Sequence, residues 1–167
     1  MSEILTSPRP SRFGRALGFR VLSSGSAVPD RVVTNADLGH LGCDPEWILS
    51  RSGIQERRHV DPGMATSDLA VEAAERALAA CGDVRDQVDL LVLGTFTPDT
   101  SLPSTACIVQ EKLGLNAPAM DVTAACAGFA YGLVTAGQFL ATGSSNLAMV
   151  IGVDTNSRVV DPTDIKT

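Results

Sequence analysis

An α/β fold on a largely parallel sheet, covered on both faces, is what this chain predicts, and three observations predict it. Short apolar runs alternate with helical patterns along the sequence. The later runs, Val88–Gly94, Ala119–Thr123 and Leu147–Val153, are apolar nearly throughout, as strands buried on both sides must be. At 167 residues, 44% hydrophobic and 19% charged, the chain suits one soluble domain with a full core.

Each element has its own signal. Met1–Gly18 is polar, with Pro8, Pro10 and several arginines, and lacks the apolar stretch of a secretory signal. It reads as a flexible extension ahead of one domain, 19–167. Arg20–Ser23 reads as a first strand, closed by the turn Gly25–Asp30. Thr34 or Asn35 can cap a short helix through Leu41. Pro45 opens another short helix, with Glu46, Trp47 and Ile48, that stops near Gly53. Thr66-Ser67-Asp68 starts an amphipathic helix whose apolar positions are Leu69, Ala73, Ala77 and Ala80, flanked by Val71 and Leu78. Gly82 ends it. Pro103 and Ser104 open a helix that Gly114 stops. A further helix is expected from Cys126 to Thr142, ended by Gly143. The closing residues, Asp161–Thr167, read as a loop in mid-course.

Charge and cysteine usage exclude several classes. Thirteen basic against nineteen acidic side chains give a net charge of −6, a poor general match to nucleic acid. No run of about 18 apolar residues predicts a membrane span. Cys43, Cys81, Cys107 and Cys126 show no C-x-x-C spacing and have no histidine-rich company. That argues against zinc and against a disulfide framework, and it suits a reducing cytoplasm. His40 and His59, the two histidines, read as surface or helix-end residues. Cys81 and Cys107 fall on predicted helix faces and read as packing residues.

Cys126 is the most informative residue. It lies in Asp121-Val122-Thr123-Ala124-Ala125-Cys126-Ala127-Gly128-Phe129, at the point where a buried strand gives way to a helix. Small neighbours let the chain turn sharply and let substrate approach. A helix N-terminus offers free N–H groups and partial positive charge, and both favour the nucleophilic thiolate. The layout is that of a cysteine poised for covalent catalysis. A lone cysteine also serves commonly as a small buried hydrophobe.

Several segments together carry a family resemblance. They are Gly25-Ser26-Ala27-Val28-Pro29, Thr34-Asn35-Ala36-Asp37-Leu38, Glu46-Trp47-Ile48, Arg51-Ser52-Gly53-Ile54-Gln55-Glu56-Arg57-Arg58, Leu102-Pro103-Ser104-Thr105-Ala106-Cys107, the Cys126 segment and Asp161-Pro162-Thr163-Asp164. In this order and spacing the chain resembles the N-terminal half of 3-oxoacyl-[acyl-carrier-protein] synthase III, a ketoacyl synthase of the thiolase superfamily. The resemblance implies half of a five-layer αβαβα architecture with a mostly parallel mixed sheet. It also implies a chemistry: Cys126 takes an acyl group from acyl-coenzyme A, and malonyl-acyl carrier protein then condenses with it, losing carbon dioxide. No cofactor is implied beyond the coenzyme A substrate.

The resemblance assigns further residues. Trp47 would stack on the adenine of coenzyme A, with Arg158 on its other face, and Arg51 would lie near the phosphates. Indole and guanidinium are both good flat partners for a base. Without the resemblance, Trp47 would read as core and Arg51 as a solvated charge. Cys43 stands where some members carry a hydroxyl near the adenine. Leu102 would sit at a homodimer interface, reaching into the partner's acyl pocket. The backbone N–H of Cys126 would form part of an oxyanion hole.

The family's histidine and asparagine, which hold the malonyl carbonyl, come from a C-terminal half that these 167 residues do not contain. That half is therefore an expected partner, and this chain alone is expected not to condense. Two other readings stay open: a starter-unit enzyme of polyketide or quinolone synthesis, and a non-catalytic acyl-binding or dimerisation module.

Overall fold

The computed structural model describes residues 18–164. The expected extension Met1–Gly18 lies outside them except for Gly18, as do Ile165, Lys166 and Thr167.

Three parallel strands form the centre of the protein. They are β3 (Leu90–Gly94), β4 (Ala119–Val122) and β5 (Ala148–Gly152), in the order β4-β3-β5. β3 pairs Leu91 with Ala119 on one side and Leu90 with Ala148 on the other. All five residues of β3 are buried, which is why its sequence is apolar throughout.

Helices cover both faces. On one, α2 (Thr66–Ala80) and α3 (Thr105–Leu113) pack through Ala70, Ala74, Ala106, Val109 and Leu113 onto Leu91, Leu93 and Ile151. On the other, α4 (Gly128–Ala141) packs through Ala136 and Phe139 onto Leu90, Val92 and Val150. α4 approaches closely because Gly132 presents only a hydrogen. A Cβ there would meet Val150 and Val92 at 3.4 and 3.5 Å. The opposite side of α4 leaves Tyr131, Leu133 and Val134 exposed, while Phe129, though half open to solvent, lies against Gly152 at the end of β5.

The helix ends follow their residues. Ser104 caps α3 through its hydroxyl, and Gly114 ends it at φ 67°. α1 (Pro45–Ser52) starts on Asp44, whose carboxylate accepts from the Glu46 and Trp47 N–H groups, and stops at Gly53 (φ 72°). The buried stripe of α2 is Leu69, Ala70, Ala74 and Leu78. The expected Ala80 is exposed, and Ala73 and Ala77 are half-buried. The reason is the Gly25 segment, which runs against the backbone of Ala73 and Ala77.

Other expectations are corrected. Arg20–Ser23 forms no strand, and its Val21 and Leu22 are exposed. The helix expected up to Leu41 is a 3-10 helix, Ala36–Leu41. Asn35 makes no side-chain cap, whereas Thr34, the other expected residue, accepts from the Asp37 N–H at 3.4 Å, and its own N–H and hydroxyl bond the Asp37 carboxylate at 2.8 and 2.7 Å. A separate antiparallel pair, β1 (Arg31–Thr34) with β2 (Glu56–His59), is not signalled by the sequence, because Glu-Arg-Arg-His has no apolar alternation.

Candidate active site

The carboxyl ends of parallel strands are where α/β proteins place their ligands, and this sheet places Cys126 there. Gly94 pairs with Val122, and the Thr95 N–H donates to the Val122 carbonyl at 3.1 Å, so β3 holds the end of β4. The chain then turns through Ala124 and through Ala125 at φ +44°, a left-handed conformation unusual for a residue with a Cβ. A 3-10 turn, Ala125–Ala127, carries Cys126, and α4 begins at Gly128. The helix thus starts two residues later than the sequence predicts, because Cys126 and Ala127 belong to the 3-10 turn that leads into it. Cys126 is exposed, unlike the half-buried Cys43, Cys81 and Cys107.

Gly94 and Gly128 set how near α4 comes to the sheet. Each glycine faces the other's backbone. A Cβ on Gly94 would fall 2.6 Å from the Gly128 oxygen and 2.8 Å from the Phe129 nitrogen. The start of α4, and with it the Cys126 turn, rests directly on the end of β3.

Behind Cys126 lies a polar layer made by residues far apart in the sequence. Asp121, on β4, accepts from the first two N–H groups of α3, Thr105 at 2.8 Å and Ala106 at 2.7 Å. Asp99 does the same for α2, accepting from the Ser67 N–H at 2.9 Å. Each carboxylate satisfies orphan donors at a positive helix end. Thr66, Thr95, Thr97 and Thr155 are all buried. The Thr66 hydroxyl donates to the Thr97 carbonyl and meets the Thr155 hydroxyl, both at 2.5 Å. The Thr155 N–H donates to the Thr97 hydroxyl, and the Thr95 hydroxyl donates to Asp154 at 3.0 Å. Among the described residues no buried side-chain polar atom lacks a partner. Sequence reasoning missed this layer, since its members lie 31 and 89 residues apart.

Trp47 and Arg51 stand one turn apart on α1, and both are exposed. They share a face, with the indole 57% accessible. Arg158 sits in a 3-10 turn after β5, with its guanidinium 3.4 Å from the Thr66 hydroxyl and 4.0 Å from Asp99. It therefore faces the polar layer. Leu102, in the loop before α3, is 87% exposed. Cys43 lines a cavity of about 830 Å³ together with His40, Arg57, His59, Asn156 and Asp161. Among the described residues no three His, Cys, Asp or Glu side chains converge to hold a metal.

This sheet, clad on both faces, has the fold of half of a thiolase-like enzyme, as solved structures show. The beta-ketoacyl-[acyl carrier protein] synthase III of Thermus thermophilus matches with a TM-score of 0.84 at 38% identity, over 88% of this chain and 46% of that one. The priming beta-ketosynthase of the R1128 polyketide pathway matches at 0.83 and 32% identity, over 87% of this chain and 44% of that one. In sequence the chain is related to beta-ketoacyl-[acyl-carrier-protein] synthase III. The enzyme of Rhodopirellula baltica is 53% identical over 154 residues, 92% of this chain and 45% of the relative. Residues 120–167 match the model of the family described as 3-oxoacyl-[acyl-carrier-protein (ACP)] synthase III, and they include Cys126 and Arg158. The chain spans about half the length of the curated relatives it matches.

Proposed function

We propose that the chain is the cysteine-bearing half of a condensing enzyme that initiates fatty-acid synthesis. The carrying observation is the exposed Cys126, past the carboxyl edge of the parallel sheet, within the stretch that matches the family model. The Cys126 thiolate attacks the carbonyl of acyl-coenzyme A, the bond to the coenzyme A sulfur breaks, and acyl-Cys126 remains. Malonyl on acyl carrier protein then loses carbon dioxide. The carbanion so formed attacks acyl-Cys126, releasing the thiolate and a 3-oxoacyl carrier protein. The Cys126 backbone N–H stabilises the oxyanion of the first step.

Trp47, Arg51 and Arg158 hold the coenzyme A. The exposed indole offers a stacking surface, and Arg51 stands one turn away for a phosphate. Arg158, beside Asp99 and Thr66 in this structure, supplies the guanidinium for the other face of the adenine. Leu102 projects from the surface, as a side chain that enters a partner's acyl pocket in a homodimer must. Condensation needs the histidine and asparagine of the other half, so this half alone stops at the acyl-enzyme. The protein works in the cytoplasm, where its thiols stay reduced. Likeness to a polyketide priming ketosynthase supports a second reading, in which the primer enters a polyketide.

The test is intact mass after incubation with acetyl-, isobutyryl- or octanoyl-coenzyme A, beside Cys126→Ala, with fluorescence of Trp47 read in parallel. One acyl adduct, absent in Cys126→Ala, is expected, with quenching of the single tryptophan. Quenching without any adduct would favour a non-catalytic binding module. Neither signal, even with the second half supplied, would refute the proposal.

A further inference from the structure

His40 closes the last turn of the 3-10 helix Ala36–Leu41, and its exposed ring is engaged at both nitrogens. Nδ1 lies 2.9 Å from the Asp37 carbonyl oxygen, and Nε2 lies 3.0 Å from that of Pro162, 122 residues along the chain. A carbonyl oxygen only accepts. A neutral imidazole has one N–H and one lone pair, so with a carbonyl on each side one contact would set lone pair against lone pair. Both contacts are hydrogen bonds only when the ring carries two protons. As a cation it also donates more strongly.

The surrounding charges are mixed. Asp37 is on the same helix, and the Thr34 hydroxyl, then the Thr34 amide, hold its carboxyl below the usual range. Cys43 follows that helix. Asp154, Asp161 and Asp164 come from the segment after β5, and Arg31, Arg57, Arg58 and His59 from β1 and β2. All line the cavity that His40 borders. Asp161 is held low by the Thr163 hydroxyl and amide, so it keeps its negative charge. Arg57 is directed to the Val33 carbonyl and the Asn35 side chain, and Arg58 to Pro29, Asp30 and Glu56. At His59, burial first, then Arg31 and Arg57, push the ring towards the neutral form.

We propose that His40 is a proton-operated clasp. As imidazolium it ties the segment after β5, at Pro162, to the 3-10 helix that leads into α1. As neutral imidazole it gives up one tie. The Asp37 bond closes within one helical turn and orders almost no chain, so the distant Pro162 tie is the one released. Because α1 carries Trp47 and Arg51 and the clasped segment carries Arg158, the clasp couples proton concentration to the spacing of the coenzyme A residues. That last consequence rests on the function proposed above, whereas the clasp does not.

The test is a pH titration of the isotopically labelled 167-residue chain by NMR. It reads the His40 ring nitrogens and the amides of Thr163 and Asp164, with His40→Phe and His59→Gln as variants. Two protonated ring nitrogens are expected in the clasped form and one in the released form. Both amides should shift with the same midpoint as the ring. Exchange protection of the Asp164 amide, corrected for intrinsic rate, should be about tenfold greater on the acid side, the order of one hydrogen bond to a charged group. The amide titration should vanish in His40→Phe and persist in His59→Gln. Amides that titrate unchanged in His40→Phe, or that stay still while the His40 ring titrates, overturn the clasp. Trp47 quenching by coenzyme A, read on the same samples, tests the coenzyme A reading separately.

Discussion

Adding one methyl group at Gly94 should unseat the nucleophile's turn. A Cβ there falls 2.6 Å from the Gly128 oxygen and 2.8 Å from the Phe129 nitrogen, and both are backbone atoms that cannot rotate away. The Gly128 carbonyl carbon lies nearer still, so to reach ordinary contact at 3.4 Å the end of β3 and the start of α4 must part by about 1 Å. Overpacking of this kind costs about 1–3 kcal/mol, and the absence of a movable side chain places Gly94→Ala near the upper end, at about 3 kcal/mol. At about 2–4 °C per kcal/mol for a chain of this size, Tm should fall by about 6–12 °C. Gly132→Ala is the internal contrast. Its nearest atoms are valine methyls at 3.4 and 3.5 Å, and it sits mid-helix, where alanine gains about 0.5–1 kcal/mol over glycine. Thermal unfolding followed by circular dichroism should therefore move in opposite directions for the two variants. The alkylation rate of Cys126, compared with the three half-buried cysteines, should change in Gly94→Ala and hold in Gly132→Ala. A Gly94→Ala chain within about 0.5 kcal/mol of wild type would refute the reasoning, because the close approach would then not constrain α4.

Two further outcomes follow from the polar layer and the charges. Asp121→Ala removes the acceptor for two N–H groups of α3 and should cost about 1–2 kcal/mol in denaturant unfolding, while Asp121→Asn, which keeps one acceptor oxygen, should cost less. Acid should destabilise the protein through Asp68 and Asp89. The Asp68 carboxyl is held below the ordinary range by the Lys112 ammonium and the Ala65 amide. At Asp89 burial pushes upward, but the Ser145 hydroxyl and the Asn146 and Leu147 amides outweigh it. A lowered folded-state value means that the stabilisation is complete above the unfolded aspartate value and is lost as pH falls through the folded one. Stability should therefore drop as pH falls below the ordinary aspartate value of about 4, with a shallower slope in Asp89→Asn, and equal slopes would count against the assignment.

How far the sequence could be read depended on the range of the interactions involved. β3 was legible because burial on both faces leaves a continuous apolar run, and the half-buried β4 and β5 because their runs are still mostly apolar. α3 was legible because Ser104 and Gly114 mark its ends by local chemistry. The α2 stripe was half legible: Leu69 and Leu78 were placed, but the share of Ala73 and Ala77 depends on Gly25, about 50 residues away. The β1–β2 pair left no trace because its residues are polar and it exists only through cross-strand partners. Cys126 was legible as a strand-to-helix cysteine, yet the positive φ of Ala125, at the head of the 3-10 turn that delays the helix, is not written in alanine's preferences. Asp99 and Asp121 were passed over as caps because they reach their helices across tertiary space.

The four buried threonines have a consequence for how the protein can change over generations. Valine has nearly the shape of threonine but neither donates nor accepts. Replacing Thr66 alone would strand the Thr97 carbonyl, at about 1–3 kcal/mol for a group left unpaired, and leave the Thr155 hydroxyl only its 3.5 Å bond to the Thr97 hydroxyl. Replacing all four by valine would remove the hydroxyls' own demands together, although the Thr97 carbonyl and the Thr97 and Thr155 amides would still need partners, while Asp154 keeps the Phe96 N–H. Single-step drift is therefore uphill at every member. The positions should persist or turn over as a group, which ties the ends of β3 and β5 and the start of α2 into one heritable unit.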